Sequence, residues 1–490
     1  MTFQSRLALI AALWAATASQ TLAAPATPEG ASHLTEVLQR YLGKTDGVVT
    51  VTPQGETYAV TLDATPLFAL TSGKEAITLS AQHLTLTDQG GGLWKVVQDE
   101  PAAFAISLPG TIDAKVQIGK LMWNGLYDES LSSFQSWTSD MTDMVYSQKT
   151  TPTTETPGQE ITEKFAAMHS EFSATKSLTV GVDGSYSWQA SGFQETMTMA
   201  QTAEQPAGQS VAIVADSVSQ SGTFKGLRSA PLLDLVAFFV AHPSEAAIKA
   251  DQEALRSQVQ AALPFFEALD GTITYKGLSV NTPYGGGKAD SIGGDLSMSG
   301  LIADGRLREK LTVSGLTLDE GLAPDWAEGL VPTDFTLDVE GKNFNLADPA
   351  SILVGALDMA KEPPLSEAVG STLLPAFLPT GSFDLTFAPG QVVAPLYQID
   401  FDGAMTVAVS GTPPTGQGTI KAKGMDAVIE ALNKGPAEVA QGIGPVLTMA
   451  RGIAKPGGVG ELVWKLDGTT PGTLKVNDLD LSALGAMMNQ

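Results

Sequence analysis

The chain has 490 residues, with 53 Asp and Glu against 28 Lys and Arg, for a formal net charge of −25. So acidic a surface repels nucleic acid and anionic headgroups at long range. Cysteine is absent, which excludes thiol catalysis, cysteine metal sites and disulfide exchange, and the length suffices to bury a core without cross-links.

The first residues read as an address. Arg6 and the amino terminus precede the apolar run LALIAALWAA at 7–16, and Thr21-Leu22-Ala23 fits a small-x-small cleavage site. The run is too short to span a bilayer as a stable helix. Residues 1–23 are therefore expected to be a cleavable signal peptide. The mature protein is then periplasmic and soluble, with no transmembrane segment and no cysteine to carry a lipid. Loss of the leader removes one base, Arg6, and leaves 27 basic against 53 acidic residues. The adjoining APATPEG reads as linker.

Alternation dominates the next segments. LTDQGGGLWKVVQ, with Gly90, Gly91 and Gly92 between two apolar runs, predicts a hairpin. Ile112, Ala114, Val116 and Ile118 fall on one side of an extended chain, the mark of half-covered antiparallel sheet. Residues 127–160 could be helix or bent strand up to the loop TTPTTETPGQE, which is the best boundary between segments 24–150 and 160–490. A Gly-Thr/Ser-apolar motif opens strands at Gly110, Gly222, Gly271, Gly381, Gly418 and Gly472, with irregular spacing.

Helical period is clearest from about 230 to 269. Leu232, Leu235, Val236, Phe239 and Val240 form one face, and Pro243 ends that helix. Ser244 caps a second, whose stripe runs through Ile248, Leu255, Val259, Leu263, Phe266 and Leu269. This predicts a helical hairpin packed on a sheet face. Phe238 and Phe239 at its centre belong to the core, to a membrane contact or to the wall of a ligand groove. Strand pattern returns in TDFTLDVEG (Phe335, Leu337, Val339), SFDLTFA (Phe383, Leu385, Phe387) and ELVWKLDG (Leu462, Trp464, Leu466). Between these, DPASILVGALDMA predicts a helix with Asp348 as cap and Pro349 at the first helical position. MDAVIEALNKG predicts another, and the Gly-interrupted PAEVAQGIGPVLTMARGIAKPGG a third.

Chemical motifs are sparse. His33, His83, His169 and His242 have no metal-ligand spacing, and His242 suits the end of its helix as a cation. G-x-S-x-G is missing, and Ser173-Ala-Thr-Lys176 lacks the companions of an S-x-x-K enzyme. YGGGKAD is no phosphate loop, because Thr282 stands where the first Gly belongs and Ala289 where Ser or Thr must reach magnesium; it reads as a flexible turn. The acids at Asp400 and Asp402 fail the EF-hand pattern at Met405 and Gly411. No catalytic, cofactor or metal residues are assigned.

Three stretches, LLDLVAFFVAHPSEAAIKADQEAL, APDWAEGLVPTDFTLDVEGKNFNLADPA and GELVWKLDGTTPGTLKVNDLDLSAL, together resemble exported alphaproteobacterial proteins of uncharacterised function, of the DUF2125 type. The resemblance implies a periplasmic location and supplies no activity. The fold expected is mainly β (α+β), an extended or curved antiparallel sheet with a central helical hairpin and a few covering helices. Half-apolar strands outnumber amphipathic helices, so part of the sheet should stay uncovered. The leading expectation is non-catalytic binding of a lipid or other amphiphile. Two others are an envelope interaction protein acting through sheet edges or its acidic face, and a hydrolase with a carboxylate or irregular metal site.

Overall fold

The structure, a computed structural model, describes residues 25–63, 65–68, 76–108, 110–152, 158–199, 209–409, 411–477 and 479–481. The leader assigned to 1–23 lies outside them. The fold is mainly β, built on one large open antiparallel sheet. Its principal strands are β1 (Val49–Gln54), β2 (Thr57–Leu62), β3 (Gln82–Gly90), β4 (Leu93–Asp99), β5 (Ile112–Asp128), β6 (Ser133–Thr150), β7 (Gln159–Lys176) and β8 (Val182–Met199). They continue as β9 (Ser210–Leu227), β10 (Ala268–Thr282), β11 (Gly285–Ser299), β12 (Gly305–Ser314), β13 (Asp334–Phe344), β14 (Ser382–Ala394), β15 (Tyr397–Ala408), β16 (Thr415–Lys423) and β17 (Glu461–Asp467). Each is hydrogen-bonded to the next, so these strands form a meander in chain order. The shorter strands Ala76–Leu79 and Ala102–Leu108 stand outside that order, pairing with each other and, through the second, with the first half of β5. At roughly 4.8 Å per strand its contour is about 75 Å. Residues 133–150, ambiguous by pattern, are a single strand, and β6 and β7 pair on either side of the 151–158 connection, so the sheet runs through that boundary unbroken.

A line of kinks crosses its middle. In β5 the shielded positions are Ile112, Ala114, Val116 and Ile118, then the parity shifts to Leu121, Trp123 and Gly125. The same shift occurs in β6 through β11. Gly119, Asp143, Ala166, Gly192, Asp216, Gly277, Asp290 and Gly315 stand opposite one another in register and interrupt the ladder together. Every second strand carries a left-handed residue there, Asp143, Gly192, Gly277 or Gly315. One residue out of alternation bends a strand and re-aims the residues beyond it. Because the shift is shared, the apolar rows on both sides of the line stay on one face. Phe193, Ala215 and Val218, from the two sides, pack in one cluster with Trp188, Tyr275 and Leu278.

Helices sit at the strand ends. α1 (Pro28–Leu42) starts where the Thr27 side chain accepts a hydrogen bond from the Gly30 N–H, and it buries Ala31 and Leu34 against Tyr58, Val60, Leu86 and Val96. The segment that reads as linker thus opens a helix. Between β9 and β10 come α2 (Ser229–Ala241), α3 (Glu245–Ala250) and α4 (Gln252–Ala262). This is the expected hairpin, but its main contacts are α2 with α1 and α4, where a sheet face was expected. It also ends at Ala262, and Leu263 is extended because Pro264 disfavours helix before it. Leu269 therefore belongs to β10 and packs beside Phe224. α5 (Ala347–Ala356) is capped by Asn345, which accepts from the Asp348 N–H and donates to the Asp348 carboxylate, so Asp348 is the cap's partner. α6 (Glu367–Phe377), α7 (Met425–Asn433) and α8 (Ala437–Ile453) follow, and a single helical turn lies at Thr65–Phe68; α8 stays one helix across Gly442, Gly444 and Pro445. No helix among the described residues is long and apolar enough to cross a membrane.

Candidate ligand-binding face

Residues directly opposite on antiparallel neighbours share a face. Followed in register, one row crosses the sheet as Val96, Gly125, Trp137, Phe172, Tyr186, Gly222, Gly271 and Leu296. It continues as Glu309, Val339, Phe387, Gly403, Gly418 and Leu466. The apolar sets of β13, β14 and β17 thus lie on the same surface as those of β5. Trp137 stacks on Phe172, centroids 5.7 Å apart, and Phe172 on Phe224, also at 5.7 Å.

This surface is largely uncovered. The largest side chains fully shielded from solvent are Val48, Val60, Val182 and Val218, and each core cluster joins neighbouring strands and at most an adjoining helix or turn. A sheet folded onto a second sheet would shield whole inner rows. Here Leu296, Leu307 and Leu311, adjacent on β11 and β12, remain 41%, 48% and 40% exposed.

The face deepens at its far end into a cavity of about 530 Å3. Phe387, Phe401, Met405 and Leu466 form apolar walls; Pro413, Pro414 and Leu474 come from flanking loops. Its floor is the cross-strand pair Gly403 and Gly418. A Cβ on Gly403 would stand 3.3 Å from the Gly418 Cα, so side chains there would both crowd the strands and fill the hollow. Comparison with family models, curated proteins and solved structures finds no match to this chain.

The opposite face is polar. A groove of about 740 Å3 runs along it, between Thr138, Glu171, Ser187, Ser221 and Thr272 on one side and Ser136, Ser173, Ser185, Thr223 and Asp270 on the other. Ser173 and Ser185 share a hydrogen bond of 2.9 Å, and Arg308 forks onto Asp338 at 2.8 and 2.6 Å. That hydrogen-bonded guanidinium holds the Asp338 carboxyl below its ordinary range. His169 also points this way, its Nδ1 2.7 Å from Asp140 and its Nε2 3.2 Å from Glu171, and these two hydrogen bonds raise its pKa. The constellation is exposed. Ser173 and Lys176 project to opposite faces of β7, so they form no pair.

Phe238 is buried and stacks on His242, centroids 4.1 Å apart, whereas Phe239 is 48% exposed. Neither lines the two cavities above. His242 caps α2 as expected, with Nδ1–H donating to the Phe238 carbonyl at 2.8 Å. The GGGK stretch is strand: Gly285–Lys288 opens β11 and the turn is Pro283–Tyr284. Asp400 accepts from Gln391 and Gln398, and no group of three or more potential metal ligands occurs among the described residues.

Proposed function

We propose that this chain is an exported periplasmic protein that holds an apolar or amphiphilic envelope ligand on the apolar face of its sheet, without catalysing a reaction. The supporting observation is the row of apolar side chains and glycines, interrupted at Glu309, that ends in the 530 Å3 cavity. Large exposed apolar surfaces in globular proteins mark interaction sites, and ligand cavities are mostly apolar with few polar groups. The signal-like leader and the DUF2125-type resemblance support the location. The ligand groove moves from Phe238 and Phe239 to the sheet itself.

The test is detergent-free purification of the mature protein from a periplasm, then native mass spectrometry and solvent extraction. A stoichiometric co-purifying lipid is expected. A clean apo mass that also fails to take up a neutral apolar probe refutes the reading. A second reading, an envelope interaction protein, draws on the open sheet, whose first strand, β1, pairs only with β2 among the described residues. It predicts a protein partner and no lipid.

A further inference from the structure

Strand alternation fixes where the charges point. Lys95, Lys115, Lys120, Lys149, Lys164, Lys225, Lys276, Lys288, Arg306, Arg308, Lys310, Lys342, Lys421 and Lys465 all occupy positions of the polar face. Among the described residues of β4 through β17, only Lys176 shares the parity of the apolar rows, and it is the last residue of β7, at the rim. The apolar face does carry acids. Glu163 lies between Ile161 and Phe165, in register with Tyr146 on one side and Glu195 on the other. Glu309 stands opposite Leu296 and Val339. Burial, and then the Glu195 charge, push the Glu163 carboxyl above its ordinary range.

We infer that the apolar face selects by charge, taking amphiphiles with uncharged or cationic heads and rejecting anionic ones. The inference rests on the proposed function and adds the ligand class. Its physical basis is repulsion: discrimination needs an element that penalises the wrong ligand. An anionic head bound here meets carboxylates, and among the described residues of β4 through β17 the one cation of that face, Lys176, stands at the rim, away from Glu163 and Glu309. The whole protein is acidic, so a local effect must be separated from its net charge.

The experiment displaces N-phenyl-1-naphthylamine, a neutral apolar fluorophore, from the mature protein with dodecanol, dodecylamine or laurate, which share a chain length and differ in head. Dodecanol and dodecylamine should displace it at least tenfold more tightly than laurate. Glu163→Gln/Glu195→Gln/Glu309→Gln should shrink that ratio to below threefold. Asp99→Asn/Asp113→Asn/Glu160→Gln, which removes as many charges from the polar face, should leave it unchanged. Equal displacement by laurate overturns the inference while the binding face stands. So does a ratio that shrinks equally in both triple variants. If the fluorophore does not bind, the proposed function itself falls, and the inference with it.

Discussion

The uncovered leucines of β11 and β12 give the most direct test of the binding face. Burying a leucine side chain completely stabilises by about 1.5–3 kcal/mol. Leu307 and Leu311 are 48% and 40% exposed, so that share of the burial is left for a ligand to supply. A chain lying across both would gain about 1.3–2.6 kcal/mol, a factor of roughly 10 to 80 in Kd. Leu307→Gln/Leu311→Gln keeps the inner part of each side chain and gives up the apolar tip. The fold should lose about 1 kcal/mol per site, within the reserve of a typical domain. The control is Val214→Gln: Val214 is 38% exposed and points to the polar face between Ile213 and Ala215. Titration of each variant with N-phenyl-1-naphthylamine, alongside circular dichroism, reads both effects. The double variant should bind at least tenfold more weakly with its spectrum intact, and the control should bind as the parent does. Equal loss in both, or unchanged binding in the double variant, refutes the assignment of that face.

The geometry sets three further outcomes. Gly277 has φ +60°, and an added Cβ would meet Asp216 Oδ2 at 2.1 Å, whereas Gly321 at φ +84° has open space. In urea melts Gly277→Ala should therefore cost more than the ~1–2 kcal/mol of a left-handed alanine shown by Gly321→Ala, and Asp216→Ala should remove the excess. Phe238→Ala should cost about 3–5 kcal/mol as a core truncation. Phe239→Ala should cost less than half of that, and neither should alter probe binding; weaker binding by Phe239→Ala would put the helix in the site. His169 should titrate by NMR above the usual ~6.5, and Asp140→Asn should return it toward that value. A raised histidine pKa lends stability that is full below the unfolded value and is lost as pH rises through the folded one. A wild-type minus His169→Gln difference that grows with pH would contradict this.

Much of the sheet is legible in the sequence because alternation is a local signal. The apolar positions of TIDAKVQIG, SFDLTFA and ELVWKLDG do face one way, with Ala114 and Trp464 buried. Alternation cannot say that separate strands present the same surface, because that depends on register across the whole meander. The kink line is hidden for a similar reason. Its glycines look like ordinary turn residues, and only pairing shows Gly277 beside Asp216 and Gly315 beside Asp290. α1 has a readable start in Thr27-Pro28-Glu29, but the composition around it is that of a linker. The hairpin is legible in type and not in extent, since the apolar stripe runs past Pro264 into β10. Hydrophobicity counted along the chain points to the greasiest helix as the binding element. A surface whose hollow is made by Gly403 and Gly418 leaves no such count.

The chain-order pairing of β1 through β17 bears on how the molecule can form. No strand has to be threaded between two that are already paired, so each new hairpin can zip onto an edge that exists when it emerges. Growth from the N-terminus then needs mostly short loop closures, interrupted where the α2–α4, α5–α6 and α7–α8 insertions lengthen the loop. A sheet assembled in this way can also be lengthened by duplicating a hairpin, with the growing edge always free to receive it.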